Sequence, residues 1–217
     1  MFTPRRVDSP ELLDEGTAAP ADVERSLRDL RRFNSIYGGA RVYLRLLRRM
    51  VRNETVSILD VATGTADAPE RLPGFRVGLD RLLTHLLYLR DHSTVRRVAG
   101  DALQLPFRDS SFEIVTSAHF FHHLTPEQNA AMLREAIRVA RRGVIVNDTR
   151  RHYLPLFFVR LLALFRLVGP VTRNDAPASI LRGYTLEEAR AIGAKVPAAR
   201  MEVVRLWPFR FGLLLWK

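Results

Sequence analysis

The sequence predicts an α/β fold: a doubly wound, Rossmann-like sheet of seven strands, with a helical cap before it and an apolar lid helix late in the chain. Three observations predict it. Short apolar runs alternate with helical stretches through the middle of the chain. The first run ends in a tight turn of small residues, and the last part holds two β-rich runs separated by Pro208 with no room for a helix. Apolar strands alternating with helices imply a parallel sheet covered on both faces.

Residues 1–20 are rich in Pro, Asp, Glu, Gly and Ala and read as an arm with a short helical turn at Glu11–Glu15. Val23, Leu27 and Leu30 then recur at helical spacing. Gly38-Gly39 breaks that helix, and Val42, Leu44, Leu46, Leu47 and Met50 carry a second one. Residues 1–53 are thus an arm and cap, and residues 54–217 the main domain, with a lid inserted at about 150–184. Val56–Val61, Phe75–Leu79, Val95–Ala99, Phe112–Ser117 and Val144–Val146 read as strands, and helices are expected near Asp67–Leu72, Arg81–Leu89 and Pro126–Ala140. Met201–Trp216 is expected to close the sheet as an antiparallel pair. A polar loop from Asp175 leads to a helix capped by Thr185, with Glu188 reaching back.

A chain of 217 residues supports one sizeable core, and 47% hydrophobic with 26% charged content is that of an ordered globular protein. The absence of cysteine excludes disulfides, thiolate catalysis and any Cys-containing zinc site, and suits a cytoplasmic protein. The N-terminus lacks the apolar run of a secretory signal, and no stretch has the ~20 apolar residues of a membrane span. The net charge is +11, yet all but two of the 34 basic residues are arginine, spread along the whole chain. That distribution fits a compositional bias better than a clustered phosphate-binding surface, so nucleic acid is not the favoured partner. An anionic membrane surface suits the charge better.

Ligands of an open parallel sheet sit at the carboxyl ends of its strands. Three such ends carry suitable residues. In Asp60-Val-Ala-Thr-Gly-Thr65, Gly64 permits a positive φ and a close backbone approach, and Thr63 and Thr65 offer hydroxyls. The helix expected to follow offers free N–H groups. Asp80 ends the next strand twenty residues on, the spacing at which an acidic residue accepts hydrogen bonds from ribose hydroxyls. The third is Gly100-Asp101-Ala102, followed by Leu103-Gln-Leu-Pro-Phe107: a carboxylate suited to an exocyclic amine, with apolar residues to clamp a flat ring.

This succession, continued by Ser-Phe-Glu-Ile-Val115, resembles the signature of class I S-adenosylmethionine (SAM)-dependent methyltransferases. It is most similar to the small-molecule branch that includes the ubiquinone and menaquinone biosynthesis enzymes, and the resemblance runs from Val56 to Val146. It implies the class I methyltransferase fold with SAM as cofactor. Asp60 and Gly64 would surround the methionine end, Asp80 the ribose, and Asp101 and Ala102 the adenine. Ala62, Thr63, Thr65, Arg81 and Ser117 complete the implied cofactor shell. The family's turn usually has a further glycine where Ala66 stands.

Methyl transfer needs the acceptor held in line, with a base if a proton must leave. The fourth strand ends in Ser117-Ala-His119-Phe-Phe-His122-His123, and imidazole suits a phenol or enol proton near neutrality. His119, His122 and His123 are therefore the catalytic candidates. No metal is expected, because adjacent histidines need not converge. His85, His92 and His152 follow no pattern and read as surface residues. The Asn-Pro-Pro-aromatic motif of nucleic-acid amino methyltransferases is absent. Asp148, after the fifth strand, is placed either to orient a substrate hydroxyl or to cap the next helix. Asn34, Tyr37, Arg150 and Tyr184 are further candidate pocket walls.

The stretch Tyr153–Pro170 is more apolar than a helix covering a sheet needs to be, and Arg150, Arg151 and Arg173 flank it. As a lid it suits a lipophilic phenol, quinol or polyketide-like acceptor, and its arginines suit contact with an anionic membrane. A core helix with snorkelling arginines, or a dimer interface, would look the same. The expected function is SAM-dependent methylation of such a molecule, on oxygen rather than carbon. An RNA methyltransferase, or a non-catalytic partner protein with the SAM fold, are the alternatives.

Overall fold

The computed structural model describes residues 3–15, 19–36, 39–51, 55–64, 69, 72–87 and 94–217. Three helices precede the sheet: α1 (Leu12–Glu15), α2 (Pro20–Ile36) and α3 (Gly39–Met50). The alternating part follows as β1 (Ile58–Val61), β2 (Arg76–Asp80), α4 (Leu83–Leu87), β3 (Arg96–Ala99), β4 (Phe112–Ala118), α5 (Pro126–Val139) and β5 (Ala140–Thr149). The chain closes with α6 (Tyr153–Leu164), α7 (Pro170–Arg182), α8 (Leu186–Gly193), β6 (Arg200–Leu206) and β7 (Arg210–Trp216).

The sheet runs β3-β2-β1-β4-β5-β7-β6. The first five strands are parallel, and β7 lies antiparallel between β5 and β6. From β1 the chain winds outward through β2 and β3, then crosses back to β4 on the other side. The switch point therefore lies between the carboxyl ends of β1 and β4, where a crevice opens.

Residue alternation explains why both faces are buried. Leu59, Val115, Val144, Val146, Leu213 and Leu215 join one core with α5 and α8, while Ile58, Ile114, Ile145 and Leu214 join another with Tyr43, Leu46 and Leu47 of α3. Neighbouring positions on one strand thus feed opposite cores, and each such side chain contributes about 1.5–3 kcal/mol by leaving water. The expected capping box is present at α8, where Thr185 accepts from the Glu188 N–H and Glu188 accepts from the Thr185 N–H. Thr125 and Gln128 make the same box at α5, with Pro126 in the first turn. That helix passes into β5 without a loop, so the strand is longer at both ends than the apolar run Val144–Val146.

The lid departs from expectation. The polar stretch from Asp175 is helical, part of α7, and not a loop. Its polar side chains tie other elements down instead of meeting solvent. Asp175 accepts from the Leu12 and Leu13 N–H groups and so caps α1, and Asp29 of α2 accepts from Gly169 N–H and Thr172 Oγ1. The N-terminal arm crosses the lid, with Val7 N–H donating to Leu181 O and Arg6 to Arg182 O. Of the helices expected after β1 and β2, most of Asp67–Leu72 and the end of Arg81–Leu89 lie outside the described residues. Among those described, no helix is long and apolar enough to cross a membrane.

Candidate active site

A cavity of about 1490 Å³ opens over the carboxyl ends of β1, β2 and β4. Asp60, Ala62, Thr63, Gly64, Asp80, Arg81, Asp101 and Ala102 line one side of it, with His119, His122 and His123 across from them. Two non-glycine residues in the left-handed region stand at adjacent strand ends, Ala62 (φ 55°) after β1 and His119 (φ 51°) after β4. Strain of this kind persists only where the surroundings enforce it, and it clusters at functional sites.

The cofactor side has the following geometry. Gly64 (φ 54°) donates its N–H to Asp80 Oδ2 at 2.9 Å, and a Cβ there would meet nothing within 4 Å. A Cβ on Gly78 would lie 2.7 Å from the Thr63 methyl, so that glycine lets the β1 turn pack onto β2. Asp80 Oδ1 accepts from Leu82 N–H at 2.9 Å, and His85 Nδ1 lies 3.7 Å away. Burial works to raise the Asp80 pKa, but the nearby His85 imidazole and the two backbone donors overcome it and hold it below the usual range. His85 lines the cavity beside Asp80 and is not the surface residue expected. Asp60 is buried, and removal from water lifts its carboxyl to about 6 against the 2.6 Å bond from Thr116 Oγ1. Asp101 accepts from Leu103 N–H and keeps its carboxylate exposed at the rim. Carboxylates at three successive strand ends and an open glycine turn are a donor and acceptor set that fits SAM.

The three candidate bases differ sharply. Burial, reinforced by the charge of Arg210, depresses His119 to about 3, so its imidazole is neutral. For His122, burial favours the neutral ring, but Asp148 reverses this. Asp148 Oδ1 lies 2.7 Å from His122 Nδ1, its Oδ2 accepts the His122 N–H at 3.0 Å, and the imidazole is raised to about 10. His123 follows on the same 3-10 turn, Phe121–His123, its ring centroid 4.2 Å from that of His122. The arm brings Glu11 to this corner, 3.5 Å from His122 Nε2 and 3.9 Å from His123 Nε2, with Ser179 Oγ donating to it at 2.8 Å. Burial pulls the Glu11 pKa up, and the two imidazoles more than offset it.

Several expected residues lie elsewhere. Ser117 is buried within the sheet, its hydroxyl donating to Val61 O, because its register on β4 points it between strands. Asp148 neither faces the cavity nor caps α6. It holds His122, and His152 caps that helix instead of standing free at the surface. Arg150 sits in a separate recess with Arg205 and Trp207, its guanidinium over the Phe209 ring. Tyr184 is core, its hydroxyl donating to Leu124 O at 2.6 Å and its ring packing edge-on against Phe121. Asn34 lies on α2, its side chain outside the description. Tyr37, Thr65, Ala66 and His92 lie outside the described residues. Glu11, Arg210 and the α3 residues Arg41 and Arg45 line the cavity without having been singled out, since nothing in the sequence marks a residue brought in from a distant arm or strand.

The lid completes the cavity. Leu154, Phe158, Val159 and Leu162 of α6 line it, as do Trp207, Pro208 and Phe209 from the β6–β7 turn. The opposite side of α6 and its end are apolar as well, with Phe157, Leu164 and Phe165 exposed.

Residues 59–146 match the family model of a methyltransferase domain. The chain is 40% identical over 97 residues to the demethylmenaquinone methyltransferase of Roseiflexus sp. (strain RS-1), covering 41% of this chain and 40% of that enzyme. It is 30% identical over 149 residues to the demethylmenaquinone methyltransferase of Corynebacterium glutamicum (strain R), covering 66% of this chain and 64% of that one. The matches thus span between two fifths and just under two thirds of these enzymes' lengths. Among solved structures, a SAM dependent methyltransferase from Aquifex aeolicus superposes with a TM-score of 0.57 at 19% identity, over 79% of this chain and 87% of that one. That likeness is one of fold.

Proposed function

We propose that the chain, whose residues 59–146 match a methyltransferase-domain model, is a class I, SAM-dependent methyltransferase that methylates a lipophilic hydroxylated aromatic of the quinol or phenol type. The observation that carries this reading is the joining of two unlike walls in one cavity. Carboxylates at the ends of β1, β2 and β3 and an apolar lid built from α6 and the β6–β7 turn line the same cavity. A polar nucleic acid would gain nothing from that lid, whereas an alkylated ring gains about 25 cal/mol for each Å² removed from water. The relatives' name, demethylmenaquinone methyltransferase, points to a quinone-type acceptor as well.

When bound, SAM supplies a methyl group already activated on a sulfonium, so the protein's task is alignment and proton removal. Asp60 and the turn at Gly64 would hold the methionine end, Asp80 with Arg81 the ribose, and Asp101 with Ala102 and Leu103 the adenine. Phe158, Leu162 and Phe209 would hold the acceptor's apolar body, leaving its hydroxyl toward the 3-10 turn. His119 is held neutral too firmly to take a proton and can only orient the hydroxyl. His122 is committed to Asp148. His123 and Glu11 are then the groups at the hydroxyl. Transfer to oxygen is the first reading, and transfer to a ring carbon is the second. Since α6 is apolar on both sides, its outer side would rest on an anionic membrane, from which a lipophilic acceptor enters.

The test is incubation of the purified protein with SAM and a panel of alkylated hydroquinones, naphthols and total RNA. A mass gain of a single methyl on a lipophilic ring is expected, with proton NMR separating methoxy from ring methyl. Methylation of RNA alone would refute the reading.

A further inference from the structure

We propose that Glu11, His122 and His123 form a site for a divalent transition-metal ion, of which zinc fits the donors best. The three residues each bring one ligand atom to a common point, all within 4.8 Å of one another. Bonds of 2.0–2.1 Å in a tetrahedron place ligand atoms about 3.4 Å apart. Glu11 Oε1 is 3.5 Å from His122 Nε2 and 3.9 Å from His123 Nε2, so small side-chain movements close the set.

Two further observations point to a ligand at this point. His122 is 3% exposed, and its Nε2 makes no well-formed hydrogen bond, only the 3.5 Å contact with the Glu11 carboxylate. A buried polar nitrogen held so loosely is one that an ion between the two groups would meet better. Its other nitrogen is held by Asp148 at 2.7 Å, the carboxylate–imidazole arrangement that fixes ring and tautomer behind a metal-ligating histidine. Two imidazoles and a carboxylate are borderline donors, which suits zinc and its neighbours better than calcium or magnesium. Glu11, His122 and His123 all line the cavity, so a position left open on the ion would be within reach of a bound molecule. Arg182 lies 3.9 Å from Glu11 Oε1, an opposing charge, but its Nε is within 3.2 Å of Asp8.

The use of such an ion rests on the methyltransferase reading. A phenolic hydroxyl in the open position would lose its proton to solvent at a lower pH than when free, as metal-bound water does. Because Glu11 belongs to the arm, the ion would also fasten residues 3–15 over the site.

Cobalt(II), a spectroscopic stand-in for zinc, tests the site without reference to activity. The tag-free, chelator-treated full chain is titrated with Co2+ and its visible d–d bands followed, then displaced with Zn2+. A single equivalent with tetrahedral-type bands is expected. Glu11→Gln and His123→Ala should each weaken it by more than ~10-fold, with circular dichroism confirming that they fold. If the intact protein gives no bands, or either folded variant binds as well as the intact chain, the proposal is overturned. Binding of S-adenosylhomocysteine (SAH) is measured on the same sample. If SAH binds where Co2+ does not, the metal site falls while the methyltransferase reading stands.

Discussion

Asp60 is held nearly free of water at the end of β1, and its carboxyl titrates at about 6, well above the 3.8 of an exposed aspartate. The sign follows directly. A folded-state value above the unfolded one means that Asp60 favours the folded form below pH 4, and that this contribution is lost as pH rises to about 6. Binding runs the other way, because the cationic end of the cofactor needs the ionised carboxylate. SAH affinity should therefore rise between pH 5 and pH 7 and level off above. Calorimetric titration across that range checks it, and a flat profile would remove Asp60 from the cofactor's methionine end. That Asp60, Asp80 and Asp101 stand at strand ends around one cavity was legible in sequence, because strand ends and spacing determine where such residues lie. The placement of Ser117, Tyr184 and Asp148 was not. Each stands where a pocket residue is expected, yet its hydrogen bond to Val61, Leu124 or His122 turns it into the protein. Only packing decides that direction.

At the scale of elements, α6 gives the cavity much of its apolar lining. Phe158 lies on its inner side and Phe157 on its outer side, so adjacent residues serve two surfaces. Phe158→Asp should raise KM for a lipophilic acceptor by ~10-fold or more, the loss of one large apolar contact. The Kd for SAH should stay nearly constant, since the cofactor wall is made by other strands. Equal losses in both would show that α6 supports the whole site instead of the acceptor half. The apolar excess of Tyr153–Pro170 announced this helix in the sequence. Its neighbour α7 was not legible, because Asp175 and Ser179 look like loop residues until α1 and Glu11 are placed against them. The capping boxes at Thr125 and Thr185 show the contrast: both partners lie three residues apart, and no tertiary knowledge is needed.

For the whole molecule, exposed apolar residues are concentrated in one stretch of chain, Phe157, Leu164, Phe165 and Leu167, with Arg160 and Arg166 between them, and Trp207 is exposed on the β6–β7 turn. Co-sedimentation should show binding to vesicles containing phosphatidylglycerol, weakened by salt and by the pair Phe157→Asp and Trp207→Asp, and little binding to neutral phosphatidylcholine. Equal binding to both vesicle types would leave the arginines without a role there. The seven-stranded sheet was legible from alternation and the closing pair, whereas the path of the N-terminal arm was not, since no periodicity marks where a strap will lie. Titration of the intact chain with SAH, beside Asp80→Ala, decides whether the crevice between β1 and β4 is a SAM site. A micromolar Kd, about −8 kcal/mol, is expected, weakened ~10–100-fold in the variant. No heat of binding from the intact, folded protein would contradict it.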